Sequence, residues 1–293
     1  SILGCISLET AQNEMHGGQS VPNFDYSMAP GVAKTYVKEY YDALAQSLAV
    51  RLGIGYADAC AIAKNIKKEL PAPTLSNADA FEAELCKWFT QADDKFGLDG
   101  KVLVAAHKNA AETALASTDK ATFQAMEALV HNLNTMNSRA GAQVPFSSVN
   151  YGTDTSPEGR MVMKNLLLAT DNGLGNGETP IFPVQIFKVK EGINYNPEDP
   201  NYDLFRLAIK TSAKRLFPNF SFIDAPFNLE YYKPGDYNTE VAYMGCRTRV
   251  MANTYDPTKA VTCGRGNLSF TSINLPRLGI RANRDIDTFY KEL

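Results

Sequence analysis

Gln143-Val144-Pro145-Phe146-Ser147-Ser148-Val149-Asn150-Tyr151-Gly152-Thr153-Asp154, followed by Ser156-Pro157-Glu158, is the stretch on which the fold turns. Its first part reads as strand plus loop, with β-prone residues giving way to Ser, Asn, Gly and Thr. On that reading Ser147, Ser148 and Asn150 form a polar loop after a strand. Ser156 before Pro157 is a helix start, because a Ser side chain caps first-turn N–H groups and Pro lacks the N–H that would be unpaired there. The helix is expected to end near Asp171, ahead of Gly173, Gly175 and Gly177. Pro183 to Lys190 then reads as a buried strand and Asn201 to Phe217 as a helix. Val241 to Met244 and Leu268 to Ile273 read as strands flanking a long loop. The fold class is α/β.

Upstream the chain is rich in helix. Val32, Tyr36, Val37, Tyr40, Tyr41, Leu44 and Leu48 recur at three- and four-residue steps, after Pro30-Gly31 and before Gly53 and Gly55. A second stripe joins Phe81, Leu85, Trp88 and Phe89, capped by Ser76 or Asn77. A third joins Phe123, Met126, Leu129, Val130, Leu133 and Met136. Such stripes are ordinary core faces. Composition shifts near Ser138, dividing the chain into a mainly helical half, 1–137, and a mixed α/β half, 138–293, of one domain. Ile2 to Asn13 reads as the back of a helix and Asp285 to Leu293 as the opening turns of another. The expectation is an internal piece of a longer chain.

Composition excludes several classes. At 293 residues with 44% hydrophobic and 21% charged side chains, the chain is globular rather than disordered. A net charge of −3, with 29 Lys and Arg spread along the chain, gives no nucleic-acid footprint. No apolar run is long enough to span a membrane. Five scattered cysteines, Cys5, Cys60, Cys86, Cys246 and Cys263, make no CxxC pair and fit a reducing, cytoplasmic compartment. The three histidines lie far apart, so no metal site is expected within the chain. Gly173 to Gly177 lacks the Lys-Ser/Thr ending of a phosphate loop and reads as a helix terminus.

Five stretches, in order, resemble the anaerobic (class III) ribonucleotide reductase family. They are His16-Gly17-Gly18-Gln19-Ser20-Val21-Pro22-Asn23-Phe24-Asp25-Tyr26, the Gln143 to Asp154 segment, Pro180-Ile181-Phe182-Pro183, Met244-Gly245-Cys246-Arg247-Thr248, and Gly264-Arg265-Gly266-Asn267 running on to Ile273-Asn274-Leu275-Pro276-Arg277. The resemblance implies part of the ten-stranded α/β barrel of ribonucleotide reductases and glycyl radical enzymes, with a finger loop at its centre. It implies an oxygen-sensitive enzyme that reduces ribonucleoside triphosphates by thiyl-radical chemistry, with formate or, alternatively, a dithiol protein as reductant. It also implies dNTP and ATP effectors, a homodimer, and activation by a radical-SAM iron–sulfur enzyme. The family's ATP-binding cone would precede Ser1. Its four-cysteine zinc module and glycyl radical would follow Leu293, so this piece alone is not expected to turn over nucleotides.

Carried onto this sequence, Cys246 is the thiyl residue, and Asn267, 21 residues later, lines the active site. A thiol suits the task because its S–H bond yields to a carbon radical, while the thiyl still abstracts a ribose hydrogen reversibly. Without the flanking motif a lone cysteine is more often a buried, inert thiol. Cys263 is the rival. Met244, Ser147, Ser148 and Asn150 are the substrate-binding candidates, against the plainer reading of the last three as turn residues bonding their own backbone. Gln19 is the candidate effector contact, although Gly17-Gly18 also reads as simple punctuation between helices. Two other readings stand beside the reductase: another glycyl radical enzyme resembling formate lyases, and a nucleotide-binding regulatory module of the same fold. The single Cys246 argues against the first, since that group often carries paired cysteines at the loop tip.

Overall fold

The computed structural model describes residues 2–15, 17–96, 99–138, 142–245, 248–267 and 271–293. Helix α1 (Ile2–Glu14) leads into a three-residue strand β1 (Gln19–Val21), followed by α2 (Phe24–Leu52), α3 (Tyr56–Glu69), α4 (Ala78–Phe96) and α5 (Gly100–Thr135). Strand β2 (Ser147–Tyr151), α6 (Pro157–Asn172), β3 (Val184–Val189), α7 (Tyr202–Arg215) and β4 (Asn219–Phe222) then alternate. After the short α8 (Pro226–Leu229) come the strands β5 (Ala242–Tyr243) and β6 (Arg249–Val250), then α9 (Leu275–Arg281) and α10 (Ile286–Glu292).

Strands β1 to β4 form one sheet in the order 1-2-3-4, all parallel. In a parallel sheet whose order never reverses, crossovers of a single hand put the connecting helices on one face. There α2, α5, α6 and α7 pack against one another. Register sorts the side chains. Val149, Tyr151 and Phe187 face the helices, and Tyr151 donates through Gln185 to Thr170 on α6. Ser20, Ser148, Asn150, Ile186, Lys188 and Ser221 point to the other, inner face.

Two cores result. One joins the sheet to α1, the ends of α2 and α5, α6 and α7, through residues such as Phe24, Leu133, Val149, Leu166 and Phe187. The other is purely helical, built from Tyr36, Tyr40, Leu44, Ile66, Phe81, Leu85 and Leu103.

Several expectations change. Helix α2 does not begin after Pro30-Gly31; it begins at Phe24, with Pro30 inside it. The cost of an interior proline is outweighed because Phe24 and Asp25 are buried and Asp25 is bonded to the sheet. Ser147, Ser148 and Asn150 do not follow a strand; they lie within β2, all fully buried. Their neighbours on β1 and β5 make those polar groups fit a strand. The third helical stripe is the end of a 36-residue helix whose earlier buried face is largely alanine, a strong helix former that leaves little apolar signal. Of the strand expected over Leu268 to Ile273, 268–270 lie outside the described residues. The rest is not strand, because Asn274 turns the chain by capping α9.

The capped helix held. Ser156 Oγ accepts from the Gly159 N–H at 3.1 Å, and α6 ends at Asn172 with Gly173 as its C-cap.

Candidate active site

The polar inner face has an occupant. Glu240 approaches Thr153, Tyr243 approaches Asn150, and the Cα of Gly245 lies 3.5 Å from an ideal Cβ on Gly18, beside Phe146. Residues 240–245 therefore run antiparallel to β2 across the inner face, from its C-terminal end towards its N-terminal end. The Met244 N–H then donates to the Thr248 carbonyl, and β5 pairs with β6 to return the chain.

Tyr243 is held through its backbone. Asn150 Oδ1 accepts from the Tyr243 N–H at 2.8 Å, and Asn150 Nδ2 donates to the Tyr243 carbonyl at 2.8 Å. Ser20 Oγ donates to the same carbonyl at 2.9 Å and accepts from Asn150 Nδ2 at 3.1 Å. Ser148 Oγ reaches it at 3.5 Å.

Above Tyr243 lies a buried charged cluster. Lys188 Nζ donates to Glu240 Oε2 at 3.1 Å and to Asn23 Oδ1 at 2.7 Å. Glu240 also accepts from Thr153 Oγ1. Asp25 Oδ2 accepts from the N–H groups of Gly152, Thr153 and Asp154. Burial pushes the Asp25 carboxyl above its ordinary range, with Lys188 and these N–H groups pulling the other way. The cluster ties the start of α2, the end of β2, β3 and the root of β5 together.

At the other end the glycines permit close approach. A Cβ on Gly17 would lie 2.4 Å from Asn267 Nδ2, and one on Gly245 would lie 2.7 Å from the Phe146 ring. Gly17 has a φ of 74°, open to glycine without penalty. Four separately read motifs thus meet: Gly17-Gly18, Phe146, Met244-Gly245 and Gly266-Asn267.

Of the sequence candidates, Asn267 lies beside Gly17, Met244 is buried on β5's continuation, and Ser148 and Asn150 hold Tyr243. Ser147 points to the helix side, opposite Gln19 in register; Gln19 is buried. Cys246 lies outside the described residues. Cys263 is exposed, beside a cavity of about 180 Å³ between β1 and the hairpin. Cys5 is buried, which pushes its thiol pKa up. Sequence reading missed Ser20, Lys188 and Glu240. Lys188 left a trace, a cation inside the apolar run Ile186-Phe187-Lys188-Val189.

A singly wound parallel sheet with helices outside and a hairpin strand across its polar inner face defines a mixed α/β protein with its motifs gathered on that face. The chain belongs to the anaerobic ribonucleoside-triphosphate reductase family, whose model matches residues 2–293. It is 33% identical over 177 residues to the anaerobic ribonucleoside-triphosphate reductase of Escherichia coli, covering 60% of this chain and 24% of that protein. The Haemophilus influenzae protein of the same name is 34% identical over 181 residues, covering 61% and 24%. That of Enterobacteria phage T4 is 34% identical over 168 residues, covering 57% and 27%. The chain thus spans about a quarter of the length of the curated relatives it matches.

Proposed function

We propose that the chain is part of the catalytic barrel of an anaerobic ribonucleotide reductase, making 2′-deoxynucleotides from ribonucleoside triphosphates through Cys246. The observation that carries the reading is the path of residues 240–245 across the inner face, with Gly245 beside the Gly17-Gly18 turn and Asn267 beside Gly17. In this reading β1 to β4 are part of a ten-stranded barrel, residues 1–137 and 138–293 are its helical and mixed halves, and the inner face is its interior. Burial supports it: Ser148 and Asn150 are fully buried and Met244 is 6% exposed, the dry setting a radical intermediate requires.

A glycyl radical, formed by a radical-SAM iron–sulfur enzyme, would supply the initial oxidation. Cys246 gives up its thiol hydrogen atom, and its sulfur takes the ribose 3′ hydrogen. The 2′ hydroxyl leaves as water. Formate, oxidised to carbon dioxide, provides the two electrons, so one ribonucleotide, one formate and one proton give one deoxyribonucleotide, one carbon dioxide and one water. Asn267 hydrogen-bonds a ribose hydroxyl through its amide, and Met244 packs beside the sugar. Ser147, Ser148 and Asn150 are the polar residues of β2 offered to the substrate side, Ser147 from the side of the strand turned towards the helices. dNTP and ATP effectors act on a cytoplasmic homodimer, the former near the early helices with Gln19 as a contact.

The test uses full-length protein and follows the glycyl-radical spin signal and dNTP formation in the same samples. Cys246→Ser is expected to keep the signal and lose all turnover, because an O–H bond is too strong to be opened. Cys263→Ser is expected to stay active and Asn267→Ala to fall between. Deoxynucleotide production by the Cys246→Ser enzyme would remove Cys246 from the chemistry.

A further inference from the structure

We infer that Asn150 is a positioning residue for Cys246: its carboxamide acts as a surrogate strand partner for Tyr243, three residues before the cysteine. The inference rests on the reductase reading above for its kinetic consequence, but its geometry stands alone.

A carboxamide offers a C=O acceptor and an N–H donor side by side, the same pair that a peptide offers. Here both are matched at 2.8 Å to the N–H and C=O of one residue, Tyr243. The opposite amide orientation would face N–H against N–H and C=O against C=O, so the backbone of Tyr243 fixes which end is which. The remaining Nδ2 hydrogen goes to Ser20 Oγ, which in turn donates to the Tyr243 carbonyl. With both hydrogens and the oxygen committed in a fully buried site, Asn150 has no donor left for a substrate.

The clamp has a purpose because β5 is short. It comprises two residues and, among the described residues, its backbone pairs with that of the two-residue β6 and with no strand of the parallel sheet, which reaches it through side chains instead. A two-stranded ribbon of that length is not stable by itself. The Asn150 amide supplies the cross-face bonds that β2's own backbone, already paired to β1 and β3, does not provide. Cys246 follows Tyr243 by three residues, so the clamp fixes the backbone from which the cysteine is carried. Misplacement of a reacting atom by about 1 Å is enough to cost on the order of a hundredfold in rate.

Asn150→Leu keeps the volume and removes both bonds. In the full-length enzyme we expect a ten- to hundredfold fall in kcat (roughly the range that misplacement of about 1 Å produces), with the nucleotide dissociation constant and glycyl-radical yield unchanged. Ser20→Ala, which leaves the amide pair intact, should lose far less. A substrate-binding Asn150 would instead weaken nucleotide binding at little change in kcat, and that result would overturn the proposal. Amide exchange at Tyr243 provides a reading independent of turnover: it should accelerate in Asn150→Leu while the β2 amides stay protected, and native protection at Tyr243 would also overturn it. If Asn150→Leu does not fold, Asn150→Ala removes both bonds without placing an apolar branch beside Ser20 and is expected to show the same kcat loss. If native enzyme makes no deoxynucleotide, the reductase reading fails and the exchange result alone decides the clamp.

Discussion

Lys188 and Glu240, 52 residues apart, form an ion pair at 3.1 Å with side chains only 1% and 4% exposed. Lys190 Nζ lies 3.9 Å from Glu240 Oε1 as a longer second contact, so losing Lys188 costs less than the full penalty of an unpaired buried charge, about 2–3 kcal/mol. Lys188→Met is therefore expected to destabilise by about that amount in denaturant unfolding. The double variant Lys188→Met/Glu240→Gln should lose clearly less than the sum of the singles, since the cycle measures their coupling. Additive losses would mean that the pair contributes only as two separate packing sites.

Gly152 sits at a φ of 139°, and an ideal Cβ there would lie 2.5 Å from the Lys188 carbonyl oxygen. Backbone cannot move aside as a flexible side chain can. Gly152→Ala should thus cost about 3 kcal/mol, combining strain at an unfavourable φ with overpacking. Gly175, with nothing within 4 Å, is the control, and Gly175→Ala should stay within about 0.5 kcal/mol. Equal effects at the two positions would contradict the close approach of β2 and β3 at Gly152.

His107 is buried in the helical core, with Tyr40 Oη 2.9 Å from its Nδ1 and Phe81 beside its ring. Burial lowers its pKa below 6.5; Glu82 opposes and Lys108 adds to the shift. The folded state thus holds the neutral ring while the unfolded chain takes up a proton near pH 6.5. Stability from this residue is full above pH 6.5 and falls as pH drops towards the lowered folded value. Amide exchange in α2 to α5, corrected for intrinsic rates, should accelerate across that window in the native protein and lose that slope in His107→Gln. A slope unchanged by the substitution would assign it to another group. Asp25 and Asp154 do not mimic it: burial raises their pKa values from 3.8, so their effect has the opposite sign.

Ser156→Ala removes the acceptor for the Gly159 N–H at the start of α6. A lost N-cap of this kind costs about 1 kcal/mol. A thermal melt of the variant against native protein measures it, and Ser156→Asn should recover most of the difference. No change on Ser156→Ala would mean that the cap geometry does not persist in solution.

Much was legible locally. Ser156-Pro157 and Gly173 carry the boundaries of α6 because capping is satisfied within a few residues. The stripes of α2, α4 and α5 follow from one buried face per helix. The order of the Gly-rich, Met-Gly-Cys and Gly-Asn motifs led to the family without any geometry. Strands β1 and β4 escaped notice because runs of three and four residues carry too little alternation to be seen.

The sequence by itself determined the class, several of the longer helices and the set of motifs that belong together, because each depends on short-range propensity or on residue identity. Only the tertiary structure decided what the polar residues do. Ser148 and Asn150 look the same in a loop or a strand; their role follows from Tyr243, 93 residues beyond Asn150. Lys188 reads as an error in an apolar run until Glu240 is brought beside it. A hydrogen-bonding group's function is set by its partner, and these partners are chosen by the register of β2 and β3 and by the chain that crosses their inner face.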